Sequence, residues 1–167
     1  MNEKRENLLR FLAEQSIPYT LTEHAAAYTV ADMDAMDFAN APICKNLFLR
    51  DKKKHHYFLL SMQKDKRADL KALATPLGVA SLHFGSEEDL LRLLGLTTGA
   101  VSPCGLLNDT AGIVSFWLDE ELLAYPTIGV HPNDNTATIW LSGSDLQRFV
   151  QATGHEVQTL ALTTGTK

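Results

Sequence analysis

Cysteine is scarce. Cys44 and Cys104 are the only two thiols in 167 residues, too few for a disulfide framework and without metal-ligand spacing. Each reads as a small buried hydrophobe, with a thiolate nucleophile as the second reading. Long apolar runs are missing too: none approaches the ~18 residues that span a bilayer. The opening Met1-Asn2-Glu3-Lys4-Arg5-Glu6 has no apolar core of the kind a secretion signal needs, so a cytoplasmic protein without a membrane partner is expected. No serine sits in a G-x-S-x-G elbow. The paired His55 and His56 would point to opposite faces of a strand, and no third ligand has matching spacing. Neither a metal nor another cofactor is therefore expected. An excess of positive charge is absent as well, since the formal net charge is −5, which argues against indiscriminate nucleic-acid binding.

What is present is an ordinary globular composition, 45% hydrophobic and 21% charged, in a chain long enough to bury about two thirds of its unfolded surface as one domain over residues 1–167. Residues 3–15 place Leu8, Leu9 and Leu12 at helical spacing, with Phe11 beside them. Residues 19–22 alternate like a short strand, and Thr29 can cap a helix through Ala31, Met33 and Met36. Two apolar runs, 43–50 and 57–62, flank Asp51-Lys52-Lys53-Lys54-His55-His56 and predict an antiparallel hairpin with a cationic tip. Asp69 and Ser86 are helix caps. The first helix is expected to close at Gly78, and the second, with Asp89 in capping-box position, to bury Leu90, Leu91, Leu93 and Leu94 up to Gly95. Strands follow at 113–118, 127–130 and 136–141. A helix capped by Ser142 or Ser144, a last strand at 157–160 and a loose tail complete the chain. Without regular βαβ alternation, this predicts an α+β fold with a mixed, mostly antiparallel, curved, barrel-like sheet surrounded by helices.

Three polar segments interrupt this scaffold. Cys44-Lys45-Asn46-Leu47-Phe48-Leu49-Arg50-Asp51 puts Lys45 at the mouth of an otherwise apolar strand, where it either snorkels to water or meets an anionic partner. The 97–105 loop is built of small residues and either connects elements or lets its backbone approach a ligand. The third, His131-Pro132-Asn133-Asp134-Asn135-Thr136-Ala137-Thr138, is another turn-forming segment of the kind that lines sites. His24 reads as a turn histidine bonded to nearby backbone. Charge is uneven: residues 45–71 hold nine Lys or Arg against three Asp, which suits either a polyanion-binding patch or a solvated hairpin tip.

Taken together, Lys45-Asn46-Leu47-Phe48-Leu49, Gly99-x-x-x-Pro103 running on to Gly105-Leu106-Leu107-Asn108-Asp109, and His131-Pro132-x-x-Asn135-Thr136-x-Thr138 resemble the YbaK-like family of prolyl-tRNA-synthetase editing domains. The resemblance runs from about residue 19 to 160 and is nearest to the freestanding alanyl-tRNA(Pro) deacylases. It implies a trans-editing hydrolase whose substrate is mischarged tRNA(Pro), with prolyl-tRNA synthetase as a further candidate partner. By that resemblance Lys45, Gly99 and His131 are catalytic. Lys45 holds the terminal adenosine phosphate or orients the ester. Asn46, Ala100, Val101, Ser102, Pro103 and Asn135 bind the aminoacyl end, and Arg50, Lys52, Lys53 and Lys54 contact tRNA. In this family the terminal ribose 2′-hydroxyl helps activate water, without a metal or covalent intermediate.

The residues agree on separate grounds. An aminoacyl ester is already activated, so its hydrolysis needs orientation and charge stabilisation more than a strong nucleophile. Cys104 departs from the family pattern, which carries a bulky aromatic after the Ser-Pro pair, and bears on which amino acid is removed. The competing readings are removal of cysteine or serine, a noncatalytic aminoacyl-tRNA or synthetase-binding module, and a cysteine hydrolase using Cys44 or Cys104.

Overall fold

A nearly continuous apolar run builds the centre of the molecule, a five-stranded sheet around one strand buried at every residue but its last. The computed structural model describes residues 3–24 and 44–162. The helix expected from Thr29, Ile43 at the start of the expected hairpin, and the tail beyond 162 lie outside the described residues. Strand β1 (Thr20–Glu23) precedes the hairpin of β2 (Cys44–Asp51) and β3 (Tyr57–Gln63). Then come β4 (Leu82–Phe84), β5 (Val114–Asp119), β6 (Ile128–Val130), β7 (Ala137–Leu141) and β8 (Val157–Leu160). The larger sheet has the order β4-β2-β3-β5-β8, and a smaller one runs β1-β7-β6. Four strand pairings are antiparallel. The pairings β3–β5 and β5–β8 are parallel, which makes the sheet mixed as expected, although hairpin reasoning did not say which strands would pair this way. Among the described residues no pairing joins the two open sheets into a barrel.

Because side chains alternate along β3, Tyr57 and Leu59 enter a larger core with Phe48, Phe116 and Leu118, which also takes Ile128 and Ile139 from the smaller sheet. Phe58, Leu60 and Met62 enter a second core on the opposite face. Helix α1 (Glu3–Glu14) buries Leu8 and Leu12 in the larger core. Helix α2 (Leu70–Ala74) covers the smaller one with Leu73 and Ala74. It is capped by Asp69 as expected but ends before Gly78, which instead takes a left-handed φ of 78° in the following turn.

Helix α3 (Glu87–Leu94) is capped by Ser86 and closed by Gly95. Two expectations fail there: Leu91 is 54% exposed, and Asp89 does not complete a capping box. The Asp89 carboxylate instead accepts from Tyr57 Oη at 2.8 Å and from Arg92 at 2.9 Å. A strand partner and a neighbouring guanidinium outcompete the helix's own backbone. Helix α4 (Gly143–Ala152) is capped by Ser142. No described helix is long and apolar enough to cross a membrane.

Candidate active site

The mouth of the β2–β3 hairpin faces both cores at once. Strand alternation sends Asn46, with Cys44 and Phe48, toward the larger core, and Lys45, with Leu47 and Leu49, toward the α2 side. Asn46 lies opposite Ser61. Its Oδ1 accepts from Ser61 Oγ at 2.5 Å, and its Nδ2 donates to the Val101 carbonyl at 3.3 Å. One amide thus ties the central strand to the 97–105 loop. Lys45 is half-buried, and its Nζ donates to the Lys66 carbonyl at 2.5 Å. Within the protein its partner is thus a neutral carbonyl and not an anion. Burial, followed by the positive charge of Arg67, holds the Lys45 ammonium's proton affinity below the ordinary lysine value, against the pull of Asp65.

The loop owes its shape to Gly99, whose φ of 93° lies in the left-handed region that glycine tolerates. Ala100, Ser102 and Pro103 are buried and Val101 is half-buried. Ser102 Oγ donates to the His131 carbonyl at 2.6 Å and accepts from Cys104 N–H at 3.1 Å. It caps a 3₁₀ turn (Pro103–Asn108) that begins on proline, whose missing N–H costs nothing at that position. Burial pushes both Cys44 and Cys104 thiols up to about 12. Both thiols are buried, which counts against the cysteine-hydrolase reading.

His131 is fixed from two sides, by Ser102 at its carbonyl and by a 3.1 Å contact from ring Nδ1 to the Ala137 carbonyl. A carbonyl only accepts, so Nδ1 carries the proton and Nε2 keeps its lone pair. Burial lowers the ring's proton affinity and the nearby His24 adds to this, while the Ala137 carbonyl and Asp134 oppose it. The two imidazole centroids are 6.3 Å apart. His24 is not the turn histidine bonded to nearby backbone that the sequence suggested: its main-chain N–H donates to the Thr136 carbonyl at 2.9 Å, far away in the chain. Its Nε2 also meets Thr138 Oγ1 at 2.9 Å.

The following turn is held from α1. Arg5 Nε donates to Asp134 Oδ2 at 2.9 Å, and Arg5 Nη2 donates to Thr136 Oγ1 at 2.9 Å. Asp134 also accepts from Thr136 N–H at 3.0 Å. Asn135 is half-buried and lines a cleft of about 850 Å³ with Asn133, Thr136, Thr97, Ala100 and Arg5. Among the described residues no group of three His, Cys, Asp or Glu could hold a metal ion.

The model of the aminoacyl-tRNA editing domain family matches residues 24–149. The chain belongs to that family. The prolyl-tRNA editing protein ProX of Acetoanaerobium sticklandii is 41% identical over 161 residues, covering 96% of this chain and 98% of the relative. The prolyl-tRNA synthetase associated domain-containing protein 1 of Mus musculus is 35% identical over 160 residues, covering 93% and 94%. A crystal structure described as that of a candidate trans-editing enzyme for prolyl tRNA synthetase shares the fold, with a TM-score of 0.76 at 22% identity over 99% of both chains. As an aminoacyl-tRNA editing domain the chain is a deacylase, hydrolysing the ester between amino acid and tRNA.

Within this editing domain the basic tip stands apart from the mouth. Lys52, Lys53 and Lys54 are exposed, and Arg50 is half-buried with Nη1 on the Asp51 carbonyl at 2.9 Å. Arg50 lies five strand positions on from Lys45, about 17 Å at the usual rise. Sequence reasoning missed Arg5, Lys66, Asp119 and Asp134. Lys66 is only 4% exposed and Asp119 is fully buried, yet each looks like a surface charge in its local sequence. Their pairing spans 53 residues, and no local pattern marks it.

Proposed function

We propose that this editing domain removes the amino acid from mischarged tRNA(Pro), with alanyl-tRNA(Pro) as its preferred substrate. The observation that carries the reading is the hydrogen-bonded linkage of the three motif segments. Ser61 holds Asn46, Asn46 holds the Val101 carbonyl, and Ser102 in the same loop holds His131. The relatives' names, prolyl-tRNA editing protein and prolyl-tRNA synthetase associated domain, support the choice of tRNA.

In this reading Lys45 uses the N–H groups not given to Lys66 to hold the terminal phosphate or the ester, while Asn46 and Asn135 place the aminoacyl end. Backbone groups of the 99–103 loop flank the scissile carbonyl and stabilise charge as it develops there. His131 Nε2, unprotonated, accepts a hydrogen bond from the attacking water or from the terminal ribose 2′-hydroxyl. Arg50 and the Lys52–Lys54 tip contact tRNA phosphates, and the whole chain acts as one domain in the cytoplasm, with prolyl-tRNA synthetase as a docking partner. The two sheets curve around the aminoacyl end as a barrel-like wall.

Selectivity follows from size. A pocket large enough for a methyl side chain excludes proline by steric conflict, whereas discrimination among alanine, glycine and serine rests on about 1–3 kcal/mol per small group. Deacylation assays on tRNA(Pro) charged in turn with alanine, serine, cysteine and proline test the proposal. Faster removal of cysteine or serine than of alanine would reassign the substrate.

A further inference from the structure

Lys66 is anchored at three points. Its N–H donates to the Gln63 carbonyl at 3.2 Å, its ammonium donates to Asp119 and Glu121 at 2.9 Å, and its carbonyl accepts from Lys45 Nζ at 2.5 Å. Asp119 is fully buried and has both oxygens in use. Besides Lys66, its Oδ2 accepts from Gln63 N–H at 3.1 Å and its Oδ1 from Glu121 N–H at 3.2 Å. The cluster therefore fastens the 64–66 turn to the ends of two adjacent parallel strands, β3 and β5. Burial alone would weaken the Lys66 ammonium's hold on its proton, but the hydrogen bonds to Asp119 and Glu121 outweigh it and raise its proton affinity. The Lys66 ammonium keeps its charge.

A buried ion pair is a poor way to stabilise a fold, because desolvation offsets its attraction and well-packed apolar replacements are often as stable or more so. What this pair does fix is the direction of one carbonyl, and that carbonyl holds Lys45. We propose that Lys66 and Asp119, with Glu121 at the rim, position Lys45: by pinning the 64–66 turn they hold its ammonium in place and leave two of its three N–H groups for the substrate. Asp65 and Arg67, the charged groups acting on Lys45, are the chain neighbours of Lys66, so a displaced turn changes the field at Lys45 as well. Lys66 and Asp119 act through Lys45 and not on the substrate, and the inference rests on the reading of Lys45 given above.

The test is a double-mutant comparison in single-turnover deacylation of alanyl-tRNA(Pro) across pH, with thermal midpoints recorded beside it. Lys66→Met with Asp119→Leu replaces the pair by apolar side chains without stranding a buried charge. It should cost about tenfold to a hundredfold in rate, the scale of an ångström-level misplacement, and should move the pH profile. In a Lys45→Ala background the same replacement should cost nothing further. Glu121→Gln, a milder change at the exposed rim, should show the same dependence on Lys45 with a smaller loss, and it decides the matter if the double replacement does not fold. Equal losses with and without Lys45 would overturn the inference. If Lys45→Ala itself leaves the rate intact, the reading of Lys45 falls and this inference with it.

Discussion

The two ends of the β2–β3 hairpin both carry lysine, and they differ in almost everything but charge. At the mouth, Lys45 is half-buried, its ammonium rests on the Lys66 carbonyl, and its neighbour Asn46 is bonded to both Ser61 and Val101. At the tip, Lys52, Lys53 and Lys54 stand exposed around a turn organised by Asp51, whose Oδ1 accepts from the His55 and His56 N–H groups at 2.8 and 3.1 Å. A lysine in water can add affinity for a polyanion, but its flexibility and hydration leave it little geometric authority. A lysine held by one carbonyl in a half-buried site can act on a chosen atom. Mouth and tip should therefore fail differently when altered.

The largest effect is expected at the mouth. Lys45→Ala should lower deacylation by about a hundredfold or more, the scale set by losing one well-placed electrostatic group, with little change in the thermal midpoint. Near-normal turnover would dissolve the contrast between mouth and tip. Gly99→Val comes next. A β-branched residue is strained at a φ of 93°, so even alanine removal should drop, by about tenfold if the loop carbonyls move an ångström. Retained activity in a folded Gly99→Val protein would take the loop out of the site.

Converting Lys52, Lys53 and Lys54 together to Gln should act on binding alone. Each lost phosphate contact should flatten the logarithmic salt dependence of tRNA affinity by about 0.7 to 0.9, while the order of amino acids removed stays the same. An unchanged salt slope would make the tip a solvated turn.

The smallest effect concerns stability and pH. His131 binds its proton less readily in the folded chain than the ordinary imidazole value of 6.5, so the unfolded chain takes up the proton first as pH falls. The stability contributed by neutral His131 is complete above about 6.5 and is lost as pH falls toward the folded value. Denaturation midpoints compared at pH 7.5 and 5 should show a smaller drop for His131→Gln than for wild type, and equal drops would count against the neutral, Nδ1-protonated ring.

Much of the scaffold was legible because its signals are local. Two apolar runs around a charged turn gave the hairpin, and Asp69, Ser86, Ser142 and Gly95 marked helix ends where the chain places them. Leu91 misled because an apolar residue in an apolar run looks buried, although its helix turns it outward. The parallel pairing of β3 with β5 was hidden because the crossover between them contains another strand, β4, so no hairpin signal reports it. The three polar segments stood out by residue type as turn-forming, and only the family resemblance gave them roles; their mutual bonds were not visible in either. Asn46 reaches a carbonyl 55 positions away and Arg5 a carboxylate 129 positions away, and such contacts are set by tertiary packing. For the same reason Lys66 was counted with the basic segment, although Asp119 neutralises it in the interior.

The most direct test of the editing role compares the unmodified protein on two substrates, alanyl-tRNA(Pro) and prolyl-tRNA(Pro), at equal concentration and with spontaneous ester hydrolysis subtracted. A size-excluding pocket predicts rapid clearance of alanine, slower but measurable clearance when serine or glycine is substituted for it, and prolyl ester that decays no faster than without protein. Clearance of prolyl-tRNA(Pro) as fast as alanyl-tRNA(Pro) would contradict both the pocket and the editing role built on it.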